Sequence, residues 1–127
     1  MSKKITLGNL ISAFYEEGEC CNYGCHKNDL DNVWNKVRKF SECKSVFAVK
    51  DWMWLDIVME GQQLAIIKAN NVVRTSNRKF DLGDWVRTSP IYYFTDNCVC
   101  ETSNSYYILV GQGSRKNSDE SIFSFFG

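Results

Sequence analysis

Histidine and proline occur once each in these 127 residues, and neither sign of charge prevails, with fifteen basic side chains against fifteen acidic ones. Each shortage excludes something. With one histidine, only His26 is available as an imidazole base or ligand. Zero net charge removes, for the molecule as a whole, the long-range attraction behind most non-specific nucleic-acid affinity. One proline and eight glycines leave no low-complexity tract and no repeat. No stretch approaches the roughly eighteen apolar residues of a membrane-crossing helix. The opening "MSKKITLGNLISAF" has no small-residue cleavage site after its apolar run, so it does not read as a signal peptide. The expected location is therefore the cytoplasm, where thiols stay reduced. The even cysteine count is accordingly not read as a disulfide framework. Gly-x-Ser-x-Gly, P-loop, Rossmann and His-Glu-x-x-His motifs are all missing.

What is present is a chain with 44% apolar and 14% aromatic residues, enough for the core of one domain over residues 1–127. Leu7, Leu10, Ile11 and Phe14 follow helical spacing, with Thr6 as N-cap and Gly18 as stop. Leu30, Val33, Trp34, Val37 and Phe40 predict a second helix from Asp29, acidic at its start and basic at its end. After Cys43 the period shortens toward two, and β-branched and aromatic residues take over. Strands are predicted over 45–49, 54–59, 64–68, 72–75, 85–89, 92–94, 98–102, 106–110 and 121–125. The breaks "EGQQ", "ANN", "DLGD", "TDN", "TSNS" and "GQGSRKNSD" supply turn residues, and Arg115 to Asp119 is the most linker-like stretch. The expectation is an α+β domain: a helical part, 1–43, with a cysteine-rich inter-helix loop, and a β meander, 44–127. Two N-terminal helices would pack on a strongly curved antiparallel sheet or a small SH3-like barrel.

The loop "ECCNYGCHKND" is the densest chemistry in the chain. A zinc site would use Cys21, Cys25 and His26, with Cys43 or one of Cys98 and Cys100 as the fourth ligand. A second closely spaced pair is missing, and Cys98 and Cys100 merely share a strand face, so small reduced cysteines filling gaps are the simpler reading. A cysteine nucleophile would need His26 within reach of its thiol. The paired carboxylates Asp51 with Asp56 and Asp81 with Asp84 offer acid–base or magnesium chemistry in principle. The second pair flanks a glycine turn, where aspartate bonds locally to backbone. No cofactor is expected.

Aromatics are the more unusual feature. Trp52, Trp54, Trp85, Tyr92, Tyr93, Tyr106 and Tyr107 come too close in pairs for all to be buried, because adjacent strand residues face opposite ways. Exposed rings beside arginine are what protein interfaces use as anchors and what single-stranded nucleic acid stacks on. Charge balance favours a protein partner through Trp85, Arg87, Tyr107, Arg115 and Lys116. The alternative is a small nucleic-acid-binding barrel using Arg74, Arg78, Lys79 and Arg87.

"RKFDLGDWVRTSPI" and "CETSNSYYILVGQGSRKNSDESIFSFF" carry the pattern G-D-W-V-R-T-S-P over Gly83 to Pro90, then Glu101, Thr102, Asn104, Tyr107, Gly111, Gly113, Arg115 and Lys116. Ser103 stands where the pattern has arginine. This resembles a domain of unknown function found in small bacterial and prophage proteins. The resemblance implies a phage or mobile-element context and transfers no catalytic residue. The expected function is a non-enzymatic binding module, anti-CRISPR-like, that occludes a host or phage protein such as a defence complex.

Overall fold

A computed structural model describes residues 19–41, 44–77 and 80–119. The elements run β1 (Glu19–Cys21), a 3-10 turn (Lys27–Asp29), α1 (Leu30–Phe40), β2 (Ser45–Met59), β3 (Gln62–Thr75), β4 (Val86–Arg87), β5 (Tyr93–Thr95), β6 (Val99–Glu101), β7 (Ser105–Leu109) and β8 (Gly113–Asp119). The expected α+β character holds broadly, with a mostly β chain curled into a half-barrel and one α-helix among the described residues. The helix expected over Leu7 to Phe14 and the strand expected over 121–125 lie outside the described residues.

α1 forms where the apolar spacing predicts it. Trp34 and Val37 are buried, while Leu30 and Val33 are partly so, against Val46, Ala48, Tyr106, Ile108 and Val110 on the outer face of β2 and β7. Burying side chains of this size contributes about 1.5–3 kcal/mol each. Arg74, on β3, clasps the helix to the sheet, with Nη1 2.7 Å from Asp31 and its guanidinium 4.4 Å above the Trp34 ring.

The sheet departs from a simple antiparallel meander. β2 pairs antiparallel with β3, but its other edge carries β7 along Ser45–Val49 and β8 along Met53–Val58, both parallel to it. β6 and β5 follow β7, and β1 follows β8. On the far side, Val86 and Arg87 pair with Ala69 and Lys68, Thr88 and Ile91 donate to Ile67 and Ala65, and Tyr92 then donates to Glu101. The segment from β4 to β5 thus crosses from the edge of β3 to the edge of β6.

Two predicted breaks are not turns. Core-facing residues of β2 run Phe47, Val49, then Trp52, Trp54, and those of β3 run Ile67, Ala69, then Val72. Alternation slips by one residue in both strands about the Lys50–Asn71 pair, where Asp51 takes φ 52°, and just before it the register shifts between Ala48 and Val49, leaving Val73 of β3 as the extra residue of a bulge. A bulge keeps the ladder while breaking the period, so one bent strand looks like two in sequence. "EGQQ" and "TDN" do turn, with φ 52° and 78° at Glu60 and Gly61, and 54° and 59° at Asp96 and Asn97. Glu60–Gly61 is the left-handed pair that a two-residue hairpin loop requires, whereas the β5–β6 loop holds three residues, Asp96 to Cys98, between the paired Thr95 and Val99.

"GQGSRKNSD" is the other correction. Gly111 turns, but Gly113–Asp119 is strand β8, paired with β2 from Ser114 to Asp119 and with β1 over Gly113–Arg115. Part of the cysteine loop is likewise strand, as β1. Neither has an alternating apolar pattern, since their pairing is imposed by the free edges beside them.

Candidate functional site

The described zinc ligands do not converge. Cys21 faces the main core with Trp52 and Trp54, Cys25 packs into the cluster beneath α1, and His26 is exposed with Nδ1 accepting the Asn28 N–H at 3.1 Å. No three metal-binding side chains gather among the described residues, and Cys43 lies outside them. Burial pushes the Cys25 thiol up, the opposite of what an activated nucleophile needs. Asp84 accepts the Asp81 N–H at 2.9 Å, and Asp56 is held by Arg115, so both carboxylates have structural partners.

The five expected partner-binding residues separate. Tyr107 is buried, because β7 is covered on both faces, by α1 on one and by the half-barrel interior on the other, where Tyr107 lies beside Phe47 with ring centroids 5.5 Å apart. It cannot present its ring to a partner. Arg115 lies in register with Trp54 and is taken up locally: Nε and Nη2 donate to the two Asp56 oxygens at 2.7 and 3.1 Å, and Nη1 donates to the Tyr23 hydroxyl at 3.0 Å. Trp54 Nε1 donates to the same carboxylate at 3.1 Å, and Tyr23, Trp54 and Phe94 stack behind it. A bidentate clamp of this kind fixes β8 to β2. Arg87, in register with Lys68 and so with Met53, belongs to the opposite face, as Lys116 does through Leu55. Arg74 of the nucleic-acid alternative is committed to α1, while Arg78 and Lys79 lie outside the described residues.

Trp85 and Arg87 remain together, and the expected alternation there is observed. Val86 and Thr88 are buried, whereas Trp85 exposes 56% of its surface. Phe80, Asp84, Trp85, Val86 and Arg87 line a hollow of about 440 Å³. Its wall is rigid: Gly83 N–H donates to Val72 O at 2.8 Å, and Val72 N–H donates to Asp84 O at 2.9 Å, which docks the "DLGD" turn onto the β3 bulge. Leu82, at the tip of that turn, is 67% exposed.

A second aromatic group was only half visible in sequence. Of the seven rings from which some exposure was expected, Trp52, Trp54, Tyr106 and Tyr107 are buried and Trp85, Tyr92 and Tyr93 are exposed, so neither tyrosine pair divides between the faces as alternation predicts; Phe40, read as part of the helix's apolar face, joins the exposed pair at the helix end. Phe40, Tyr93 and Tyr106 line a cleft of about 250 Å³ together with Lys36 and Asp96, which form an ion pair at 2.9 Å. Beside it, Lys44 donates to Glu101 and to the Tyr92 hydroxyl, both at 2.6 Å, and lies 5.1 and 5.4 Å from the Tyr92 and Tyr106 rings. The Glu101 bond, followed by the Tyr92 bond, raises the Lys44 pKa. Burial works to raise the Glu101 carboxyl, but hydrogen bonds from Lys44, Tyr92 and Tyr106 outweigh it and hold it below its ordinary value. An ammonium locked in its charged form and a carboxylate filled by three donors make a tie, not an acid–base couple. Nothing in local sequence spacing pairs Lys44 with Glu101.

A family model described as a domain of unknown function, DUF6957, matches residues 22–124. The chain belongs to DUF6957. Both aromatic surfaces fall inside the matched span, which also takes in α1 and most of the cysteine loop, well beyond the C-terminal pattern that first carried the resemblance. No curated protein and no solved structure matches this DUF6957 chain.

Proposed function

We propose that this DUF6957 chain is a non-enzymatic binding module that acts by covering a surface of a protein partner, with Trp85 as anchor and Arg87 beside it. The observation that carries the reading is the large ring of Trp85, 56% exposed on a backbone pinned by Val86 and Thr88. Tryptophan and arginine are the residues on which interface energy concentrates, and a backbone already fixed by strand pairing has little freedom left to lose on docking. Leu82 extends the apolar area. Phe40, Tyr92 and Tyr93 form a second exposed group that a larger partner would also cover. The partner class we favour is a host or phage protein, a CRISPR or other defence complex included, following the mobile-element context that the resemblance implies.

The test begins with the full chain as bait in nuclease-treated bacterial lysate, followed by titration of the stoichiometric partner with purified variants. Trp85→Ala is expected to weaken binding at least about 30-fold, and Arg87→Ala by less, with circular dichroism unchanged. Unchanged affinity in the folded double variant overturns the reading. A binding constant that falls steeply with salt, or binding lost to nuclease, would favour the nucleic-acid alternative.

A further inference from the structure

Five cysteines are described and all are free thiols, yet two of them are neighbours in space despite lying far apart in sequence. Cys25 N–H donates to Leu109 O at 2.9 Å, while Leu109 N–H donates to Cys98 O at 2.8 Å. Gly24 N–H donates to Asn97 O at 2.8 Å, and Asn97 Nδ2 donates to Asn22 O at 3.0 Å, so the two segments run on from each other along one edge of β7. Cys25 and Cys98 thus both bond to Leu109 on one edge of β7, an arrangement that brings their backbones near each other; a disulfide requires Cα atoms about 4.4–6.8 Å apart. Both side chains enter the cluster beneath α1, with Val99 and Val110. The neighbouring Cys25 adds to the upward push that burial gives the Cys98 thiol. Cys100, expected to share a strand face with Cys98, belongs with Cys21 to the main core instead, because alternation breaks at the turn that Cys98 closes; Cys20 is exposed on β1, where Gln112 Nε2 donates to its sulfur at 2.6 Å.

We propose that Cys25 and Cys98 are a redox pair that closes into a disulfide when the protein meets a small-molecule disulfide such as oxidised glutathione. Cys25 is half-buried and Cys98 is only 2% exposed, which sets the order of the steps. The Cys25 thiolate attacks one sulfur of oxidised glutathione, forming a mixed disulfide and expelling one glutathione thiolate. The Cys98 thiolate then attacks the Cys25 sulfur and expels the second. Two electrons and two protons leave the protein thiols, and oxidised glutathione becomes two molecules of reduced glutathione. Burial raises both thiols, Cys98 to about 12, so thiolate is scarce and closure needs oxidant in excess. The product staples the Asn22–His26 loop to the β5–β6 turn and closes a long chain loop, the kind of cross-link that restricts the unfolded chain most.

The full native chain, incubated with a large excess of oxidised glutathione, is mapped by mass spectrometry of its peptides without reduction, alongside thermal unfolding. The expected result is a linked peptide pair holding Cys25 and Cys98, two hydrogens lighter than its parts. Tm should rise by about 10 °C and return on adding dithiothreitol. Cys25→Ser should lose both the link and the rise. Because it alters a half-buried position, it also serves where Cys98→Ala does not fold. Glutathione that stops on Cys25, a link between other cysteines, or a linked pair with unchanged Tm overturns the proposal.

Discussion

Gly113 shows how much a single side chain decides. A Cβ there would lie 2.2–2.5 Å from the Trp52 indole, well inside contact distance, and its φ is ordinary, so the requirement is for space alone. Gly24 meets a similar limit, with a Cβ 2.3 Å from Gly111 O and 3.3 Å from the same indole. Trp52 therefore lies in a cradle of glycine backbone, its Nε1 donating to Gly111 O at 3.1 Å. Gly113→Ala is expected to destabilise by about 1–3 kcal/mol, read from urea unfolding, because the ring cannot move away without disturbing the core. Gly61→Ala meets open space and is strained only by its φ of 78°, so it should cost about 1 kcal/mol. Equal losses at the two positions would show that the indole is free to shift.

At the scale of elements, β8 carries the strongest claim. Its residues are polar, yet Ser114 pairs with Met53 on one side and Cys20 on the other, and Arg115 with Trp54 and Glu19, so the strand is internal at these two residues despite its composition. Ser114→Pro should cost about 3 kcal/mol or more by removing a ladder donor, and the amides of Ser114 and Arg115, flanked by strands on both sides, should exchange slowly in the wild-type chain. Exchange as fast as in an open loop would contradict the pairing. Parts of this architecture were legible beforehand. α1, the Glu60–Gly61 and Asp96–Asn97 turns, and the alternation through Trp85 to Thr88 each rest on residues within a few positions of one another. The bent β2 and β3 strands were misread because a bulge and a turn interrupt the same period. β8 was misread because its partners, not its residues, make it a strand.

For the whole molecule, burial of thiols and of a phenol sets the alkaline limit of stability. Burial pushes Cys98 to about 12 from an ordinary 9.0 and raises Cys100 and Tyr107 as well. With folded pKa values above the unfolded ones, the contribution is complete below about pH 9 and is lost as pH rises toward 12, since the unfolded chain releases protons that the folded chain keeps. Stability by urea unfolding should fall by about 1 kcal/mol or more between pH 8 and pH 10. Cys98→Ala should flatten that slope, whereas an unchanged slope in the variant would assign it to other groups.

The sequence by itself determined where α1 forms, which hairpins turn tightly, and that some of the paired rings would remain outside, because these follow from side-chain spacing and backbone freedom over a few residues; which rings those are, Trp85, Tyr92 and Tyr93, it did not decide. Only the tertiary structure decided that β7 and β8 run parallel to β2 from about sixty residues away. The same packing buries Tyr107, commits Arg74 to Asp31 and Arg115 to Asp56, and brings Cys25 beside Cys98. Parallel pairing has no local signature. Its register is fixed by which edge is free and which faces must be covered, and those conditions exist only once distant segments meet.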